Sequence, residues 1–184
     1  REYLRSVAST VGLDYANSDN NDAALRSLNV SLRLDPNDSY DLAVRGQVLR
    51  KLGDYQRALQ DLSRAIALDP PARKEHHQRG LVYTATGNFE AAILDFQAAG
   101  LPHHSFWEAG LVLIKTGRVE EGLQSFRDGV ISVEANSLAD SSIYDLLVLS
   151  VYHAGLDQFN MSRELIDKAF AKSNEWGKSS DVLR

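Results

Sequence analysis

The side chains with most reach toward catalysis or metal binding are five histidines, all after residue 75: His76-His77, His103-His104 and His153. Zinc asks for about four converging nitrogen, sulfur or oxygen ligands. Adjacent residues on a helix project about 100° apart, so neither His pair can chelate alone. No cysteine is present to complete such a set or to form a disulfide. The histidines are read as solvated or capping groups, with no metal site. Glu120-Glu121 could be taken for paired acid–base carboxylates, but they follow Gly117 at the start of an expected helix, where they favour the helix dipole. No glycine-rich phosphate loop, nucleophile elbow or HExxH motif occurs. The reading is therefore of a protein that is not an enzyme and needs no cofactor.

The elements that would position any binding residue announce themselves by spacing. Gly12, Gly46 and Gly80 recur at one constant interval, about 34 residues, the period of a helical-hairpin array. Gly110 then arrives four positions early. Three more columns keep the same phase: Ala24, Ala58, Ala92, Gly122; Leu28, Leu62, Phe96, Phe126; and Ser31, Ala65, Ala99, Gly129. Glycine is a poor helix former, so its recurrence inside otherwise helical stretches calls for a packing reason. The one expected is a neighbouring helix backbone crossing too closely for a side chain. Paired helices with small residues at matched places imply stacked helical hairpins. Start and stop signals agree. Asn37-Asp38-Ser39 supplies an N-cap for a helix through Lys51, Gly53-Asp54 makes the turn, and Tyr55 to Leu68 returns until Asp69-Pro70-Pro71 stops it. The early arrival of Gly110 implies that the helix ending near Ala99 is a turn shorter than its counterparts.

These residues resemble the tetratricopeptide repeat family. The second unit is near-complete, with Gly46, Leu49, Gly53, Asp54, Tyr55, Ala58, Leu62, Ala65, Ile66, Leu68 and Asp69-Pro70. The third carries Gly80, Tyr83, Gly87, Asn88, Phe89, Ala92, Ile93, Phe96 and Ala99. In the first, Asp19-Asn20-Asn21 replaces the usual turn glycine, a substitution that Asn and Asp tolerate because they accept left-handed backbone. The fourth has Gly110, Leu113, Gly117, Gly122 and Phe126, with glycines where alanine is usual, so its second helix is expected to be the softest. The fifth is carried by Tyr144, Val151, Gly155, Ala169 and Phe170, and its turn, Leu156 to Asn160, reads as two residues too long. The resemblance implies an all-α, right-handed superhelical solenoid of antiparallel helix pairs. A single array would fill 1–184, with repeats at 5–38, 39–72, 73–102, 103–136 and 141–172 and a cap or tail at 173–184.

The family's geometry implies a concave groove lined by the first helix of each hairpin. The groove residues it selects for partner binding are Tyr40, Gln47, Arg50, Lys51, Lys74, His77, Gln78, His104, Trp107, Lys115 and Tyr152. Cations, imidazoles and large aromatics with polar tips dominate, so the implied ligand is a protein segment with acidic and apolar residues. Trp107 has two readings, as a ligand contact or as packing between hairpins. Family members that clamp a chaperone's terminal carboxylate use Lys and Asn on the groove helices. The matching places here hold Ser9, Leu13, Val44, Lys74 and Gln78, of which only Lys74 fits, so an adaptor of that kind is not expected.

Two functions follow: a scaffold or adaptor that binds a partner peptide or helix within a larger complex, or a spacer or self-association module that stacks through its end repeats. A formal charge of −5 argues against nucleic-acid binding, and no apolar stretch nears the roughly 20 residues that span a bilayer. Three sequons, at Asn29, Asn37 and Asn160, leave lumenal or extracytoplasmic locations open beside a cytoplasmic one. The chain opens on Arg1 and is expected to be a segment or processed form of a longer protein. Arg1-Glu2-Tyr3-Leu4 enters the first helix without a cap, which suggests that further repeats or a partner precede it in the longer protein; the N-terminal face is then expected to be sticky, with a weak homodimer or stacking through the first hairpin. Trp176 is expected to cover the last hairpin.

Overall fold

A computed structural model describes residues 1–100, 104–136, 143–158 and 160–168. Every regular element among them is helical, in agreement with the all-α expectation. They fall into two compact units, Arg1–Ala99 and Gly100–Arg184. The first holds three antiparallel hairpins: α1 (Glu2–Asn17) with α2 (Asn21–Leu34), α3 (Ser39–Lys51) with α4 (Tyr55–Leu68), and α5 (Arg73–Ala85) with α6 (Phe89–Ala99). The second pairs α7 (Ser105–Lys115) with α8 (Val119–Asn136) and sets α9 (Ile143–Gly155) before a helical segment at 160–168. α6 has 11 residues where α2 and α4 have 14, the shortening that the early Gly110 implies.

The described hairpins all turn in one way. The first residue after the turn donates its N–H to a carbonyl five residues back: Asn20 to Tyr15, Asp54 to Leu49, Asn88 to Tyr83 and Arg118 to Leu113, each at 2.9 Å, and Gln158 to His153 at 2.8 Å. Such a bond needs a left-handed residue just before it. Gly53, Gly87 and Gly117 fill that place with φ of +78°, +79° and +85°, and Asp19 and Asp157 fill it at +57° and +58°. Asp157 also corrects the sequence reading of the fifth turn. It is not two residues too long, because an aspartate takes the glycine's place and Ser162 N–H reaches Gln158 O as Ala58 N–H reaches Asp54 O. The helices that follow are capped where polar side chains precede them, with Asn20, Asp38 and Asp54 accepting from the N–H groups of Ala23, Asp41 and Arg57.

The glycine column packs first against side chains, with the partner helix's backbone close behind at two places, Leu28 N 3.3 Å from a Cβ on Gly12 and Ala58 O 3.4 Å from one on Gly46. A Cβ on Gly12, Gly46, Gly80 or Gly110 would lie 2.8, 2.7, 2.7 or 2.2 Å from Leu28, Leu62, Phe96 or Phe126. Each glycine thus receives the large residue 16 positions on, within its own hairpin, and those four residues are almost fully buried. Backbone comes closer still at Gly122, whose Cβ would meet the Gly110 carbonyl at 2.8 Å, and a Cβ on Gly129 would strike the Tyr152 ring at 2.4 Å. These two places, where the other repeats carry alanine or serine, are glycine because of what packs on them.

Hairpins in the first unit are joined by apolar clusters. Ala24 and Leu28 meet Val44 and Val48, while Leu49, Ala58 and Leu62 meet Val82. A polar staple adds direction. Arg45 grips Asp61 through Nε and Nη2 at 2.7 and 2.8 Å, and its Nη1 reaches back to Asn29 of the preceding hairpin. Arg79 repeats this one period later, gripping Asp95 and donating to Ser63. His76 adds a third contact to the buried Asp95 at 2.8 Å. The expected plug, Trp176, and the fifth-repeat residues Ala169 and Phe170 lie outside the described residues.

Replacing Gly46 or Gly80 with Leu should cost about 1–3 kcal/mol by overpacking against Leu62 or Phe96. Thermal melting followed by circular dichroism checks this, and an unchanged midpoint for both variants would refute the hairpin lock. Asp95→Ala should cost about 3 kcal/mol, because it strands the Arg79 guanidinium among buried neighbours. Urea unfolding measures that loss.

Candidate functional site

Seven of the expected partner-binding residues lie in the first unit, and their side chains have different fates. Tyr40 stands at the start of α3, 55% exposed, and Lys74 is exposed on the first turn of α5. Both line one cleft of about 280 Å³ between the start of α3, the end of α4 and the start of α5, together with Ser39, Asp69, Pro71, Ala72, Arg73 and Glu75. Neither the Tyr40 hydroxyl nor the Lys74 ammonium has a hydrogen-bond or ion-pair partner among the described residues. Arg73 is committed, since its Nε donates to Ala99 O at 2.8 Å. Ala72 opens the site at φ +38°, a left-handed conformation that bends the chain out of α4 and into α5.

The other cations of the expected cluster are engaged elsewhere. Arg50 Nε donates to Gln78 Oε1 at 3.0 Å, which ties α3 to α5. Lys51 Nζ pairs with Asp19 Oδ1 at 2.6 Å, bridging the turns of the first two hairpins. Gln47 is half-buried on α3. His77 is only 8% exposed and lies against Phe96 with ring centroids 5.8 Å apart. The structure thus makes His77 part of the core of its hairpin rather than a ligand contact. Two acids, Asp69 and Glu75, share the Lys74 cleft, so its charge is balanced.

In the second unit, His104 sits at the N-terminal boundary of α7 and Lys115 in its last turn, where a cation suits the helix dipole. Trp107 stacks on Phe126 with centroids 4.8 Å apart and meets the edge of Tyr152 at 6.1 Å. Phe126 and Tyr152 are each 1% exposed, with Leu149, Val133 and Leu165 around them. Of its two readings, Trp107 takes the packing one. Tyr152 is corrected outright: it leaves the expected partner surface, because a ring filling the space beside Gly129 has no face for a ligand.

Sequence reasoning missed the Arg45–Asp61 and Arg79–Asp95 staples, although the signal was present. Both arginines and both aspartates repeat with the same period as the glycines and in phase with them. Bidentate hydrogen bonding to Asp95 raises the Arg79 pKa above its already high value. On the surface, Arg118 holds the Glu121 carboxyl below its usual range through a side-chain hydrogen bond, which agrees with a helix-start role for that acid. Two sequon asparagines are likewise occupied, Asn29 accepting from Arg45 and Asn37 from Arg64. Among the described residues no group of three or more metal-ligating side chains converges, and no helix is long and apolar enough to cross a membrane.

Trp107→Ala should therefore act on stability, costing about 3–5 kcal/mol through the cavity left beside Phe126 and Tyr152. Chemical denaturation of the variant measures the loss. A variant as stable as the parent would return Trp107 to the list of exposed contacts.

Comparison with known proteins agrees with this geometry. Residues 14–78 match the family model described as tetratricopeptide repeat. No curated protein matches the chain. Among solved structures, a MamA fragment from Desulfovibrio magneticus is similar at 19% identity and a TM-score of 0.63, covering 94% of this chain and 96% of that one. Pseudomonas aeruginosa PilF is similar at 18% identity and a TM-score of 0.69, with 94% and 77% covered. A tetratricopeptide repeat protein from Parabacteroides merdae is similar at 18% identity and a TM-score of 0.63, with 94% and 68% covered. At such identities the likeness is one of fold. Glycine-locked hairpins in phase with the matched repeat and uniform left-handed turns give the described residues a tetratricopeptide-repeat fold, with the family match itself confined to residues 14–78.

Proposed function

We propose that the protein is a non-catalytic scaffold whose first unit binds a partner segment carrying a carboxylate beside an apolar side chain. Tetratricopeptide repeat folds serve in general as protein–protein interaction scaffolds. What supports the finer reading is one observation: Tyr40 and Lys74 line the same cleft with both polar tips uncommitted. An exposed aromatic with a polar tip is the residue type that most often anchors an interface. Lys74 supplies a charge for a carboxylate. Asp69 and Glu75 at the same cleft disfavour a polyanion, so the ligand that fits is mixed in character rather than uniformly acidic. Gln47 and the Arg50–Gln78 pair offer hydrogen bonds further along the same helices.

A second reading has its own observation. The first helix exposes Tyr3, Leu4, Val7, Val11 and Tyr15, which favours self-association through the N-terminal hairpin as a further property of the scaffold.

The cleft is tested by titrating the chain with synthetic peptides in which one Asp or Glu flanks Leu or Phe, read by calorimetry. Lys74→Glu should weaken binding by about tenfold or more, and Tyr40→Ala by a similar factor, with helicity unchanged. Raised salt should weaken the parent in the same direction, because exposed charges are screened within about 10 Å at 0.1 M. Binding that survives both substitutions would remove this cleft from the function.

A further inference from the structure

The exposed apolar residues of α1 are ordered. Tyr3, Val7, Val11 and Tyr15 recur every four residues and so form one ridge along the helix, with Leu4 beside it. Tyr3 is 79% exposed and Leu4 62%. The ridge is about 18 Å long, from the rise of about 1.5 Å per residue.

Its direction follows from the repeat. Val11 stands in the column of Arg45 and Arg79, and those arginines reach back to Asn29 and Ser63 of the preceding hairpin. The column therefore faces the neighbour on the N-terminal side. The second and third repeats put an arginine there and staple it to Asp61 or Asp95, whereas the first puts a valine with Ser27 in the aspartate's place, and the fourth has Ala109 and Ser125. Apolar where the second and third repeats are charged, and exposed along the whole ridge, this face has the character of an interaction surface.

The order of the ridge says with what. Tyr, Val, Val, Tyr reads the same in both directions. Under a two-fold axis between Val7 and Val11, Tyr3 of one copy lies beside Tyr15 of the other, and Val7 beside Val11. Ridges of this four-residue type interdigitate when helices cross at about −50°, and an isologous contact requires this kind of self-complementarity. The arrangement places no like charges opposite each other, since Asp14 falls beside Leu4 of the other copy. Two hydroxyls next to the ridge are already bonded within the helix, Thr10 to Ser6 O and Ser18 to Asp14 O, so covering them strands neither donor.

We propose that the occupant is a second copy of this chain, packed antiparallel through α1 to form a symmetric dimer. The inference rests on the self-association reading above and adds its surface and symmetry. One helix pair is a small interface, so the dimer is weak and reversible.

The chain contains no cysteine, which makes cross-linking clean. Sedimentation velocity over a concentration series should show a monomer–dimer equilibrium in the full chain. Val7→Glu combined with Val11→Glu should raise the dissociation constant at least about tenfold with unchanged circular dichroism, since both side chains are partly exposed. As a second measurement that needs no folded double variant, Tyr3→Cys and Tyr15→Cys chains are oxidised separately and as a mixture. The mixture should yield a disulfide-linked pair, and each alone should not. A parent chain monomeric at every concentration would overturn both this inference and the self-association reading, leaving the ridge to another protein. A dimer indifferent to the glutamates would overturn the α1 surface while self-association stands. Efficient linking of Tyr3→Cys to itself would overturn the antiparallel symmetry.

Discussion

Each hairpin from α1 to α8 closes on a single steric relation, in which a glycine on the first helix makes room for the large side chain sixteen positions later on the second. Leu28, Leu62, Phe96 and Phe126 then lie buried between the helices of their hairpins. Removing Cβ from one helix is what allows a leucine or a phenyl ring to sit there without strain, and close packing of this kind accepts little change of volume. The turn depends on it in part. Helices held this close must be joined by a tight loop, and the left-handed residue with its five-back hydrogen bond is the same in every described hairpin.

With the hairpins closed, their outer faces become available for two different uses. Apolar clusters and the Arg–Asp staples join one hairpin to the next within the first unit. The staples place buried aspartates against bidentate arginines, a geometry that satisfies charge and fixes direction together. Because Arg45 and Arg79 each tie their own helix to two others, they set the offset between hairpins and so where the starts of α3 and α5 stand. That offset creates the cleft in which Tyr40 and Lys74 meet. In the first hairpin, which has Val11 and Ser27 in those places, the outer face of α1 is apolar and exposed.

The same arrangement explains why the expected cationic surface of the first unit reduces to one lysine. Long side chains on stacked helices find partners one repeat away, as Lys51 finds Asp19 and Arg50 finds Gln78. Those partners belong to a different hairpin and sit in different columns, so no local pattern reveals them. Large aromatics follow a similar rule. Trp107 and Tyr152 have polar tips that suit an interface, but glycines at 129 and 155 provide space for rings, and the rings fill it.

The sequence alone determined the hairpins, because periodic glycines, capping aspartates and turn residues act over distances the chain can encode locally. It determined the shortened α6 from a break in the period, and the Asp19 turn from the tolerance of aspartate for left-handed backbone. It failed at Asp157 only by overlooking that same tolerance. Which groove side chains remain free was decided by tertiary structure, since burial of His77 depends on Phe96 across its own hairpin, and burial of Tyr152 and capture of Arg50 and Lys51 depend on neighbours from other hairpins. The Tyr40–Lys74 cleft is likewise tertiary. Its walls come from three helices, and the physical reason they meet is the packing between hairpins, to which each repeat contributes only one side.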